Sequence, residues 1–234
     1  MKAIYKKEMK AFFCTASGFV YIGVYLLIYS CFFIIYNVLG DNADIGTLLD
    51  NIIVSFVLLI PILTMRLFAE EKQSGTDKIY LSAPLDAWEI VMGKYLAAFT
   101  VFLIPQLAPL ASGIIMVILH GQTAAEIFAV MTGYVLVGAA FIAVGMFVSA
   151  VTEKQLISAI ISFAVCLALY MSDMMFSAFG GTFMEKIVKL TALTDYYKNF
   201  TAGIFDCTAV IYFISFSALF IIFTILKTES ERCG

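Results

Sequence analysis

Between Ser17 and Val38 the chain runs for 22 residues without a charged side chain. About 20 apolar residues in a helix match the hydrocarbon thickness of a bilayer. Within that layer every backbone amide and carbonyl must be satisfied by the chain itself, which leaves helices or a closed barrel. Long unbroken apolar runs, rather than ten-residue alternation, select helices. Further runs of this kind lie at 51–68, 94–119, 125–151, 155–175 and 207–226. The expected fold is therefore an all-α integral membrane protein of six transmembrane helices, forming one domain over 1–234. Composition agrees: 62% of residues are hydrophobic and 13% charged, against roughly 45–50% and about 25% in a soluble domain. The two polar-containing stretches, 65–94 and 176–206, are too short for an independent core.

Orientation follows from lysine and arginine. Lys2, Lys6, Lys7 and Lys10 precede the first run, and the 39–50 loop carries only Asp41, Asp44 and Asp50. Arg66, Lys72, Lys78 and Lys94 follow the second run, Lys154 lies between the fourth and fifth, and Lys227 and Arg232 occupy the tail. Both termini are expected on the cytoplasmic side. The 176–206 segment is then outside, against the pull of Lys186, Lys189 and Lys198. The first run exceeds the 7–15 residues of a signal-peptide core and has no small-residue cleavage site after it, so it reads as a retained span. Ahead of it, Ile4, Tyr5, Met9, Phe12 and Phe13 share one helical face, with Lys6, Lys7 and Lys10 on the other. Residues 1–14 read as an amphipathic helix in the inner headgroup layer. Pro105 and Pro109 are expected to kink the third span. Small residues four apart, Ala129/Gly133, Ala139/Ala143 and Gly145/Ser149, are expected to pack the fourth span within the subunit.

The 65–94 segment has more polar and turn-forming residues than a simple connection needs. The second span is expected to extend to about Gln73. Ser74-x-x-Asp77 and Asp86-x-x-Glu89 each resemble a helix start, Gly75 suits a reversal with positive φ, and Pro84 stops a preceding helix. A short helix over 75–82 and a new helix from Ala87 follow. In the outer segment, Phe183, Ile187 and Leu190 have helical spacing after Gly180-Gly181, and Asp195 is placed to cap a second short helix ended by Gly203. Three readings of this segment stand: interfacial helices, re-entrant helices over an outer opening, or a capped surface loop.

Recognisable catalytic chemistry is missing from the sequence. Gly93-Lys94 lacks the remainder of a phosphate-binding loop, with Trp88 and Tyr95 at the positions that matter. There is no HExxH and no serine–histidine–acid set. Cys14, Cys31, Cys166, Cys207 and Cys233 show no paired spacing, His120 stands alone, and Glu126 and Asp173 sit at span edges. The chain is not expected to be an enzyme, to hold a metal or to bind nucleic acid.

Arg66-Leu67-Phe68-Ala69-Glu70-Glu71-Lys72, Ser74-Gly75-Thr76 and the run from Leu81-Ser82-Ala83-Pro84 to Glu89-Ile90-Val91-Met92-Gly93-Lys94 resemble the signature of type-2 ATP-binding-cassette (ABC) export permeases. The segment from Asp195 to Asp206, followed by Tyr212-Phe213-Ile214-Ser215, resembles the subgroup related to gliding-motility and copper-site-maturation permeases. The resemblance spans the whole chain and departs at Tyr80, where an aliphatic residue is commoner. It implies a permease subunit, paired with an identical or related copy in membrane lipid. A separate cytoplasmic ABC ATPase would bind ATP and Mg, with no cofactor in this chain. It also implies that the ATPase couples through Arg66, Glu70, Glu71, Gly75, Thr76, Asp77, Ile79, Tyr80, Pro84, Glu89, Gly93 and Lys94.

Two other functions remain on the sequence alone. An autonomous channel or carrier would want intramembrane charges around a midplane site, and a non-transporting anchor would need only the 65–94 segment. The topology itself is testable. A cysteine at Asn199, in a chain lacking the native five, is expected to react with an impermeant thiol reagent in whole cells. Labelling only after membrane disruption would reverse the assignment.

Overall fold

The computed structural model describes residues 1–40, 45–76, 86–120, 123–172 and 193–233. Among these residues all regular structure is helical. Helix α1 (Lys2–Cys14) meets α2 (Ala16–Phe33) at Thr15, whose extended backbone breaks the helix and turns the chain. A Cβ on Gly18 would lie 2.6 Å from the Phe12 carbonyl oxygen, so only glycine lets this corner close. α2 continues as a π-helical turn, Ile34–Val38.

Helix α3 (Ile45–Thr64) is followed by a bend and the short α4 (Ala69–Ser74). The apolar run was expected to start at 51, with Asp50 at its edge. The helix instead starts six residues earlier, because Ile45, Leu48, Leu49 and Ile52 form one buried stripe while Asp50 points away from it. Ser74 ends α4 rather than starting a helix. Gly75, at φ +69°, closes the last turn, with its amide on the Lys72 carbonyl. α5 (Ala87–Leu103) starts at the expected Ala87 with Asp86 extended before it, though the Asp86 side chain makes no capping bond. The expected 75–82 helix, Pro84, and the Phe183–Leu190 helix lie outside the described residues.

Pro105 converts the end of α5 into a 3-10 turn, Ile104–Gln106, before α6 (Leu107–His120) resumes. This is the kink the prolines implied. α7 (Ala124–Val151) opens with a capping box: Thr123 accepts from the Glu126 amide, and the Glu126 carboxylate accepts from the Thr123 amide. α8 (Gln155–Tyr170), α9 (Leu193–Thr201) and α10 (Cys207–Cys233) complete the order. Among the described residues, five helical segments are long and apolar enough to cross a membrane: Ala16–Asn37, Ile45–Ser74, Ala87–Ile118, Ala124–Val151 and Cys207–Arg232. α8 is a shorter apolar helix of 16 residues.

The central post is α7, which packs against α3, α5, α8, α9 and α10. Its small residues make this possible. Cβ atoms on Gly138 and Gly145 would collide with Phe102 of α5 and Thr64 of α3, and Ala129, Ala143 and Ser149 are fully buried. The small pairs therefore pack inside the subunit, as their spacing implied.

The far end of the bundle, opposite the two chain termini, receives α9. Tyr197 and Phe200 are fully buried, and a Cβ on Gly133 would lie 2.6 Å from Phe200. Gly133 is roughly 13 Å along α7 from its start at 1.5 Å per residue, so α9 is wedged into the bundle beside α3, α7 and α10. Gly203, at φ +74°, then reverses the chain over Glu126. Asp206 starts α10 by accepting from the Thr208 amide at 2.8 Å and from Asn199 Nδ2 at 3.0 Å. Those bonds hold its carboxyl below the usual carboxylate range, the Asn199 amide first.

The Gly133–Phe200 contact can be tested by non-additivity. Gly133→Ala overpacks the α7–α9 contact and is expected to cost about 1–3 kcal/mol, read as a lower unfolding midpoint in detergent. Phe200→Ala removes the obstacle, so the double variant should be more stable than the sum of the single changes allows.

Candidate functional site

Where both termini converge, α1, α4 and α5 are joined by a buried cation. Lys94 lies on the inward face of α5 with its side chain 1% exposed. Its Nζ sits 2.6 Å from Glu71 Oε2 and 3.3 Å from Glu8 Oε1, and it donates to the Leu67 carbonyl. The ammonium also lies 4.8 Å from the centre of the Phe68 ring. Lys7 Nζ approaches the same two acids, at 2.8 Å from Glu71 and 3.8 Å from Glu8. Among the described residues, two ammonium groups thus face two carboxylates. An unpaired ion here would cost several kcal/mol.

Gly93 is what allows the approach. A Cβ there would meet Ile4 at 3.0 Å and the Met1 carbonyl at 3.3 Å, so α1 lies directly on the α5 backbone. The N-terminal amine adds a bond to Glu89 at 3.3 Å. α1 therefore turns Ile4 and Phe12 into the contact with α5 and the bundle, with Tyr5, Met9 and Phe13 half-buried beside them.

The corner between α3 and α4 is fixed from several sides. Arg66 Nε pairs with Glu70 at 3.1 Å, its guanidinium donates to the Thr15 and Ser17 hydroxyls, and it lies 5.2 Å from the centre of the Phe12 ring. Ser149 of α7 accepts from the Phe68 and Ala69 amides, each at 3.1 Å, and donates to the Met65 carbonyl at 3.3 Å. One hydroxyl thereby satisfies backbone groups on both sides of the bend. Lys72 donates to the Ala150 carbonyl and pairs with Glu231 of α10 at 2.7 Å. Gln73 Oε1 accepts from the Gln155 amide at the start of α8 at 3.1 Å. α4 is only six residues long, yet it is tied to α1, α5, α7, α8 and α10.

Of the residues singled out in the sequence, Arg66, Glu70, Glu71, Glu89, Gly93 and Lys94 come together at this base. Gly75 and Thr76 follow at the exposed end of α4, where the Thr76 amide bonds to the Glu71 carbonyl at 3.0 Å. Asp77, Ile79, Tyr80 and Pro84 lie outside the described residues. Glu71 was expected to face outward, where a partner could read it. It faces the interior, because Lys94 needs a second carboxylate. Lys7, Glu8, Ser149 and Glu231 were missed. Glu8 did leave a signal: it stands four residues from both Ile4 and Phe12, an acid in the middle of the buried stripe.

Helices of membrane-spanning length, a short interrupted helix at the base and a buried charge cluster joining the two define a multi-pass membrane protein with a braced polar corner. The sequence matches the family described as ABC-2 family transporter protein over residues 3–230, and the chain belongs to that family of type-2 ABC transporter permeases. No curated protein matches the chain.

Removing the Lys94 charge takes from Glu8 and Glu71 the buried cation they share. Lys94→Met is expected to destabilise the protein by about 3–5 kcal/mol, with Glu8→Gln in the same chain recovering part of the loss. Unfolding in detergent and the yield of folded protein measure both. Glu71→Lys should be equally damaging, since it sets three cations around one remaining acid.

Proposed function

We propose that this chain is the membrane subunit of an exporter, driven by ATP hydrolysed on a separate ABC ATPase. In this reading both termini face the cytoplasm, α8 with the residues after it forms a sixth span, and the ATPase docks on the 65–94 segment. The observation that carries it is the bracing of α4. A short helix continuous in sequence with α3, and tied to α1, α5, α7, α8 and α10, moves with those elements when pushed. An ordinary connecting loop has no need of such ties. Glu70, Gly75 and Thr76 occupy its outer side, and Asp77, Ile79, Tyr80 and Pro84 follow directly in sequence. Arg66, Glu71, Gly93 and Lys94 then act behind the docking surface, holding the lever in place.

Two copies form the working unit in this proposal. α2 and α8 flank α3, whose outward face presents Val54 and Leu58 between them. The membrane segment of α2 is only 22% buried, against 67% for α3, so the first span has more surface left to share than the second. In lipid an exposed apolar face is no driving force by itself. The support comes from the way these three helices form one side of the subunit. Within this proposal the chain is a relative of the gliding-motility and copper-site-maturation permeases, a reading supported by the resemblance of 195–206 and Tyr212–Ser215.

Affinity purification from native membranes should bring down an ATPase with nucleotide-binding motifs and a second permease copy. Alanine substitution across 76–82 is expected to leave insertion and stability intact, while abolishing substrate-stimulated hydrolysis. Wild-type partner binding and hydrolysis in that variant would reduce the segment to a connector. An isolated monomer that still transports would remove the dimer from the proposal.

A further inference from the structure

α2 carries tyrosines at 21, 25 and 29, one above another on the face turned into the bundle, and all three are buried. Tyr25 donates to Gln106 Oε1 at 2.7 Å, and its hydroxyl lies 3.1 Å from that of Tyr134 on α7. Around this pair three polar groups have no hydrogen-bond partner among the described residues: the Tyr21 hydroxyl, Gln106 Nε2 and the Tyr197 hydroxyl. Their residues are 1%, 4% and 0% exposed. Reversing the Gln106 amide does not help, because one of its two ends is then left over instead.

These groups come from four parts of the fold and converge on one place. Tyr21 stands one turn from Tyr25 on the buried face of α2, Tyr25 bonds to Gln106 and Tyr134, and Tyr197 stands one turn from Phe200, which presses on Gly133 beside Tyr134. Gln106 sits in the 3-10 turn made by Pro105, and a proline has no N–H to offer the Val101 carbonyl one helical turn back. A buried hydroxyl or amide without a partner costs about 1–3 kcal/mol. Three such groups, on Tyr21, Gln106 and Tyr197, are left in surroundings that apolar chains would not satisfy.

We propose that Tyr21, Tyr25, Gln106, Tyr134 and Tyr197 enclose a water-binding site within the bundle. Water suits the lining because it donates and accepts, whereas the Gln106 amide donates and each tyrosine hydroxyl does both. A buried water typically makes about three hydrogen bonds, and such a set is available here. Tyr197 is the contribution of α9 to this site, fully buried beside α3 and α7. α9 thus closes the site, and water there lets the α5–α6 kink and α9 shift without stranding polar groups.

The test is radiolytic hydroxyl-radical labelling of the full-length chain in lipid nanodiscs, read by mass spectrometry. Radicals form from water at the site, so bound water makes buried tyrosines reactive. Tyr21, Tyr134 and Tyr197 are expected to label at rates comparable with the partly exposed Tyr36, and several-fold above the fully buried Phe56 and Phe102. Tyr197→Phe, which keeps the ring, should reduce labelling of Tyr21 and Tyr134 and leave Tyr36 unchanged. It should also lower the unfolding midpoint, since it removes a bonded hydroxyl. Tyrosine labelling no higher than that of Phe56 and Phe102 would overturn the proposal. A raised midpoint in Tyr197→Phe would do the same, because only an unbonded hydroxyl is better removed.

Discussion

The base of this protein depends on the burial of one ammonium group. Lys94 sits in an interior that would penalise it heavily alone, and two carboxylates from elements far apart in sequence, Glu8 and Glu71, meet it there. Because the cation lies on α5 and its acids on α1 and α4, satisfying the charge also sets where those helices sit. Gly93 provides the room, Phe68 covers the ammonium, and Lys7 balances the second negative charge. Such a cluster is screened by salt much less than the partly exposed Lys227–Glu231 pair on α10. The base is accordingly one mechanical body over a wide range of ionic strength.

Above the base the bundle is held in a different way. α7 presents glycine at the positions where Phe102, Thr64 and Phe200 press against it, and van der Waals packing replaces charge. Large side chains of the neighbours fill the notches, so sliding along α7 is resisted by shape. The polar tyrosine row of α2 then occupies the interior beside the proline turn. Three regimes follow along the axis: ion pairs at the base, close steric contact along α7, and hydrogen-bonding groups around the kink. Each suits a different tolerance for movement, with the base stiffest.

Much of this was legible in the sequence where the physics is local. The chargeless run of the first span, the helix start at Ala87, the positive φ of Gly75 and Gly203, and the kink at Pro105 all depend on nearby residues. The amphipathic α1 was readable as a helix, but not its surface of contact, because a stripe of Ile4 and Phe12 fits lipid and protein equally well. The Glu8–Lys94 pair was not readable from either residue's neighbourhood. A lysine entering a span ordinarily counts toward topology, and nothing local says that it points inward. Asp50 misled for the opposite reason: a lone acid on a helix's outer face does not end the helix when four neighbours are buried. The role of Ser149 was equally hidden, since small spacing announces packing but not the bend its hydroxyl supports.

The distance in sequence between Glu8 and Lys94, 86 residues, also has a meaning in time. At the usual pace of synthesis, Glu8 is made roughly 4–17 s before Lys94. Throughout that interval α1 has no α5 to lie on, and Glu8 lacks the cation of Lys94. The N-terminal helix must therefore wait in the aqueous or headgroup environment while two further spans are laid down. Its basic face and lone acid are compatible with that wait in a way that a wholly apolar helix would not be. The same residues that close the finished base keep its first piece from committing early.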